Sequence, residues 1–567
     1  MVFVAKNLSV QNIMKKFTLF CALAVGMIAC CGQNEPEEGT NSTPNDTTVV
    51  TPTDTTITTT DTIRITWNGQ IASQEGSHTG VTISQENGYV TINSTVKDIT
   101  YLLSGTGQGQ LTIYGTNRHQ LILNNLSLTC NDGPAINNQC KKSCFVLLQG
   151  TNTLTDGSSY ATSTEDRKAA FFSEGQMIFS GNGSLNVTGN YKHALASDDY
   201  IQFTESTGSL TLNAANDGIH ANDALYFEGG TFNITAGSDG IQCDSSITIA
   251  GGKLTISATA DGVQSDTAHV IMSGGELNIT KAGDKGITAF GNITITGGTI
   301  RISSEYKCIK AGKKENNTIV SAGNILITGG DVQVVCNGAA SSGGGGPWGG
   351  SNSENSSPEA IEAKGAITIN GGFVYAKSAD DAINAAGDLT INGGCVCAYA
   401  TNNDGIDANG NCFIKGGLVY AIGSTSPEVA IDANTEEGKK LYISGGTVIA
   451  IGNLESGASI TGGTCKQTSS WNSTSWYALY DNGELVAAFQ TPSKSTSGGG
   501  GGGPGGGGPG GGGSQTQKLV VYTSSTPTLK SGVTAAGTAI LNSMVYYPAS
   551  VSGGSSVSLS NYSSNGW

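Results

Sequence analysis

An aspartate recurs in one short phrase of this chain. Asp217-Gly-Ile, Asp239-Gly-Ile and Asp261-Gly-Val stand 22 residues apart. Farther along, the first position of the phrase is filled by Lys285, Lys307, Glu359, Asp381, Asp404 and Val429. Three residues on, a second column reads His220, Gln242, Gln264, Thr288, Lys310, Glu362, Asn384, Asp407 and Asp432. Carboxylates stacked at a strand spacing of about 4.8 Å repel by roughly 1 kcal/mol in water and roughly 3 at an effective dielectric of 20. A hard cation with oxygen ligands relieves that repulsion, and calcium accepts six to eight oxygens in flexible geometry. Asp217, Asp239, Asp261, Glu359, Glu362, Asp381, Asp404, Asp407 and Asp432 are therefore the candidate calcium ligands. The late members crowd one edge with no lysine interleaved. A plainer reading stands beside this one: Asp-Gly forms turns, and the Asp side chain bonds nearby backbone.

What positions these groups is a repeat. Gly-Gly pairs begin at Gly229, Gly251, Gly274, Gly297, Gly329, Gly371, Gly393, Gly416 and Gly445, so the basic period is 22–23 residues, with insertions in some units. Between the pairs apolar residues alternate strictly, as in Phe232/Ile234, Leu254/Ile256 and Leu277/Ile279. Alternation of period two means strands with one buried face. A unit this short buries that face only by stacking on copies of itself. The expected fold is all-β: a single right-handed parallel β-helix, one coil per repeat. A column of small residues (Ala221, Cys243, Ser265, Ala289, Ala311, Ala363, Ala385, Ala408 and Ala433) marks a cramped inner corner. Ten of the 13 cysteines fall in the repeat region and beyond, without a CxxC pair; most read as buried thiols, although Cys140 with Cys144, or the outward-facing Cys395 and Cys397 with a neighbour, are open to disulfides.

The acidic balance, 44 Asp and Glu against 28 Lys and Arg, argues against nucleic acid, which needs clustered basic groups. From Met14 the chain reads MKKFTLFCALAVGMIACC, two lysines and an apolar run too short to span a bilayer comfortably. This predicts a lipoprotein signal peptide over 14–30, ending at a lipidated Cys30. A flexible Thr/Pro/Asp tether over 31–61 follows, with Glu35, Glu37 and Glu38 close behind the cysteine. The expected location is the outer membrane, exposed at the cell surface and held by lipid alone. The solenoid is expected over 62–490 with a glycine-rich insertion at 338–357, a poly-Gly loop at 491–516 and closing strands over 517–567.

The repeated DGI-xA … LTIxGG coil resembles a family of carbohydrate-binding β-helix proteins whose best-known member comes from a cellulose-degrading clostridium. The opening stretches YLLSGTGQGQLTIYG, LILNNLSLTCNDGPAIN and GTNTLTDG resemble that family's first coils, and the likeness runs from about Ile63 to Ile540. The resemblance implies a shape related to pectate lyases, calcium between coils and affinity for plant cell-wall polysaccharide, acidic glycans such as polygalacturonate in particular. Lys285 and Lys307 break the acidic column where the family often keeps aspartate.

Three places offer sugar contacts. Tyr375, Tyr399 and Tyr420, with Phe373 and Tyr442 nearby, occupy outward strand positions, where an exposed ring suits the CH face of a sugar. Calcium along the acidic edge would instead bridge uronate carboxylates, and Trp348 in the first glycine-rich insertion is a third position. Catalysis would need a strong base near calcium, for which Arg301, Lys307 and Lys310 are the nearest group, or paired acids such as Asp198-Asp199 beside Ser197. Neither set amounts to a motif. The reading is a monomeric, non-catalytic, calcium-dependent glycan-binding protein; the alternatives are a polysaccharide lyase or hydrolase and a surface adhesin.

Overall fold

The computed structural model describes residues 52, 56–59, 61–316, 318–339, 357–425, 428–493 and 517–563. The signal peptide with Cys30, nearly all of the tether, Trp348 and both glycine-rich insertions lie outside the described residues. The described residues belong to one compact unit beginning at Thr51.

That unit is all-β, and its repeat is a coil of three strands. In one coil Ile219–Ala221 joins a narrow parallel sheet, while Ala224–Phe227 and Thr231–Ala236 join a broader one. Each strand pairs in parallel with its counterpart one coil on, equivalent residues opposite: Ile219 with Ile241, Leu225 with Ile247, Phe232 with Leu254. The alternating apolar residues all point inward. Phe232, Leu254, Leu277, Ile300, Val332, Val374, Val396 and Val419 form one stack with 0% exposure. Each such side chain contributes about 1.5–3 kcal/mol by leaving water. The small-residue column is buried throughout, as its inner corner requires.

The glycine pairs make the tight corner. The second glycine of each has φ between +74° and +89°, a left-handed conformation costly for any residue with a Cβ. The first is held against the previous coil, and a Cβ on Gly251 would sit 2.1 Å from the Glu228 carbonyl oxygen. The glycine of Asp-Gly-Ile has a different reason. Gly218 is absent from the positive-φ group, but a Cβ there would come within 2.3 Å of Ile234 Cγ2 and 2.6 Å of the Gly240 carbonyl. Close packing between coils, rather than a turn, selects glycine at this point.

Both ends of the stack are closed by antiparallel strands. At the start, Thr62–Gly69 pairs with Ile71–Glu75 and Val81–Glu86 with Tyr89–Ser94, covering edges that would otherwise expose unpaired backbone. At the far end Leu519–Thr523 runs back antiparallel to Thr447–Ile451 and Thr464–Thr468. The coils therefore stop near 468, short of the expected 490. Trp476–Asp481, Glu484–Gln490, Pro527–Ile540 and Val545–Val557 instead close into a small antiparallel barrel. All ten described cysteines are free thiols, nine of them buried, so neither Cys140/Cys144 nor Cys395/Cys397 is bridged. Among the described residues no helix is long and apolar enough to cross a membrane.

Candidate functional site

The narrow sheet carries the second polar column. Its register places His220, Gln242, Gln264, Thr288, Lys310, Glu362, Asn384 and Asp407 opposite one another on successive coils. Beside this row runs the aspartate column, and its hydrogen bonds explain the recurrence of the residue. Asp217 Oδ1 accepts the backbone N–H of Asp239 at 3.0 Å, and Asp239 Oδ1 that of Asp261 at 2.7 Å. Asp261 Oδ1 accepts from Lys285 at 2.8 Å, Asp381 Oδ1 from Asp404 at 3.1 Å and Asp404 Oδ1 from Val429 at 2.5 Å. Each carboxylate thus ties its coil to the same position of the next. One oxygen is consumed by the ladder, and the other remains for charge chemistry. Asn292, Asn324, Asp388 and Asn411 build a second ladder of this kind at another corner.

The strip divides into three electrostatic zones. In the first, Asp217 is flanked by imidazoles, with His193 Nδ1 and His220 Nδ1 at 3.1 and 3.5 Å from its Oδ2. Burial raises its pKa, but the imidazoles prevail and hold the carboxyl below the ordinary range. This mixed nitrogen and oxygen surrounding is not the all-oxygen setting expected of a calcium ligand. Burial, with Asp261 and Asp217 as charged neighbours, pushes Asp239 up to about 7. Asp261 is drawn toward Lys285, whose Nζ lies 3.9 Å away.

The middle zone corrects the expectation for Glu359 and Glu362. Lys307, 1% exposed, places Nζ 2.5 Å from Glu359 Oε2 and 3.3 Å from Glu362 Oε2. Lys364 pairs with the other oxygen of Glu362. Lysines are interleaved here after all, one from the previous coil and one from the same strand's end, and these two glutamates already have their countercharge.

The last zone keeps the unbalanced charge. Asn384 Nδ2 donates to Asp381 Oδ2 and to Asp407 Oδ2, 2.9 Å each. Burial and the charges of Asp407, Glu359, Asp380 and Asp404 raise Asp381 well above the carboxylate range. Burial pushes Asp404 up to about 8, with Glu428, Asp407 and Glu455 adding to it. Asp407 and Asp432 are each raised to about 6, burial again leading. Glu455 rises to about 8 by burial and by its neighbour Asp432. Among the described residues no ion pair reaches Asp381, Asp404, Asp407 or Asp432. Oxygen donors alone, stacked without a cation, fit a hard divalent ion. Asp380, Glu428 and Glu455 escaped the sequence reading because they sit outside the two columns, on the corners that the coils bring alongside.

The tyrosine face is not where the alternation placed it. Tyr375 is 3% and Tyr420 0% exposed. Both belong to a second core formed with Tyr477, Leu479, Phe489 and Leu529 of the barrel, which lies over the outward face of the late coils. Tyr420 Oη donates to the Gln490 carbonyl at 2.7 Å. Tyr399 is half-buried against the same cluster, with Lys377 Nζ 5.1 Å from its ring centre. These rings pack the barrel rather than meet solvent. On the late coils exposed aromatic surface lies instead at Phe373 and at Tyr442, which stacks on Phe413 with centroids 5.1 Å apart.

Three of the candidate catalytic groups are held in ion pairs. Arg301 Nη2 holds Asp331 Oδ2 at 2.5 Å, Lys307 is bound as described, and Asp198 pairs with Lys168 at 2.6 Å.

No curated protein matches the chain. A solved structure of a polysaccharide lyase-like protein from C. thermocellum, a gadolinium derivative, aligns at 20% identity over 49% of this chain and 95% of that one, with a TM-score of 0.29. The family model described as "Carbohydrate-binding domain-containing protein" matches residues 86–314 and 284–405, together more than half of the sequence, and the chain belongs to that family.

Proposed function

We propose that this protein binds an acidic plant cell-wall polysaccharide, of polygalacturonate type, without catalysis and through calcium. In this reading the stacked coils form a single right-handed solenoid of pectate-lyase-like shape, carried on the cell surface by lipid on Cys30. The observation that carries it is the last zone of the strip. There Asp381, Asp404, Asp407 and Asp432 stand on successive coils, and among the described residues no cationic side chain pairs with them. Two or three protein carboxylates leave much of a calcium shell of six to eight oxygens open. A uronate carboxylate can fill those positions, so the same ion that relieves repulsion also bridges to the glycan. Repetition along the strip adds weak contacts to successive sugars. The engagement of Arg301, Lys307 and Asp198 in ion pairs supports binding over lysis.

Affinity electrophoresis in pectate and in cellulose gels, each with calcium and with chelator, tests this. Retention in pectate that disappears with chelator and with the Asp404→Asn/Asp407→Asn double variant is expected. Calcium-independent retention in a neutral glycan would favour the Phe413/Tyr442 stack as the binding surface. Unsaturated product absorbing in the ultraviolet on pectate would replace binding with lysis.

A further inference from the structure

We propose that His193, Asp217 and His220 form a site for a divalent transition-metal ion of the zinc class, separate from the carboxylate zone and independent of the calcium reading. Among the described residues, this is the one set of His, Cys, Asp or Glu that brings three ligand atoms within 4.8 Å of one another. The coil geometry assembles it. His193 opens the strand His193–Ser197, and His220 lies on Ile219–Ala221 of the next coil, pairing with Ala196. The two rings stack with centroids 4.4 Å apart and planes 23° from parallel. Asp217 sits at the corner leading into the second of these strands. Its Oδ1 is fixed by the Asp239 N–H, which leaves Oδ2 aimed at both imidazoles.

Both Nδ1 atoms face that single oxygen, and both are buried without a hydrogen-bond partner. His193 is 5% exposed and Asp217 also 5%. One carboxylate oxygen approached by two nitrogens, neither in hydrogen-bonding alignment, is the arrangement expected around a shared ion. The spacing agrees. Tetrahedral zinc with bonds of 2.0–2.1 Å separates its ligand atoms by about 3.3 Å. The observed contacts of 3.1 and 3.5 Å bracket that value. Two imidazoles select against calcium and magnesium, which prefer oxygen, and suit zinc, copper or nickel. Three protein ligands leave one position of the tetrahedron for water. His220, on the outer face and partly exposed, provides the entry side.

The test uses the full chain after metal stripping. Zinc titrated calorimetrically should bind one ion per chain, raise the melting temperature and be unaffected by excess calcium. Cobalt in place of zinc should give visible d–d bands without the thiolate charge-transfer bands that a cysteine site would show. His220→Asn should weaken zinc binding by more than roughly 100-fold, since loss of an outer partner alone costs 10–100-fold. Asp217→Asn, which keeps an oxygen for the Asp239 N–H, should do the same while the circular dichroism spectrum stays that of the parent. Asp404→Asn should leave zinc binding intact. Binding by His220→Asn and Asp217→Asn equal to the parent, thiolate bands with cobalt, or no stoichiometric zinc binding would each overturn the site and identify the cluster as a plain His–Asp contact.

Discussion

Asp404→Asn should make the metal-free protein more stable at neutral pH, not less. The side chain of Asp404 has two tasks: it accepts the Val429 N–H at 2.5 Å, and it carries a charge among Glu428, Asp407 and Glu455. Asparagine keeps the acceptor and removes the charge. The folded carboxyl titrates near 8, against an ordinary value of 3.8. Below pH 4 both states are protonated, and the raised pKa costs nothing. As pH rises the unfolded chain loses its proton first, so the folded state binds more protons and stability falls, until the folded group ionises near 8. Each pKa unit is worth about 1.4 kcal/mol, which makes the penalty at pH 7 on the order of 4 kcal/mol. Melting curves from pH 4.5 to 8.5 in chelator measure it. The parent should lose stability across this range, and Asp404→Asn should lose less, by about 1.4 kcal/mol per pH unit. Calcium should raise the parent's melting temperature more at pH 8 than at pH 5, and more than that of Asp404→Asn. Parallel pH profiles for the two proteins in chelator would refute the argument.

Lys307→Met leaves Glu359 buried without its ammonium, while Glu362 keeps Lys364, and should cost about 3–5 kcal/mol at neutral pH, as seen in denaturant midpoints. Gly251→Ala drives a Cβ into the Glu228 carbonyl and should cost more than about 2 kcal/mol, whereas Gly438→Ala, with φ +77° and open space around it, should cost about 1–2 by differential scanning calorimetry. Tyr420→Ala empties a buried site between coils and barrel and should destabilise by about 3–5 kcal/mol while calcium-dependent retention in pectate gels persists. Loss of retention with the fold intact would return the tyrosines to the binding surface.

The coil was legible in the sequence because it is a local property repeated. Period-two alternation, the spacing of Gly-Gly and the small-residue column each report a constraint inside one unit, and stacking identical units follows from the need to bury one face. The acidic columns were legible for the same reason, since in-register stacking turns a sequence period into a spatial row. Three things lay outside what the repeat alone shows. Lys307 neutralises Glu359 across 52 residues because an insertion separates two neighbouring coils, so their adjacency does not appear as the usual 22–23. His193 reaches Asp217 from a coil whose sequence lacks the repeated phrase, which hid the imidazole from a column-by-column reading. Tyr375 and Tyr420 occupy outward positions, and only the barrel built from strands after residue 475, two of them beyond residue 517, covers them. Alternation determines which side of a strand a residue is on; whether that side meets water depends on what else the chain folds against it.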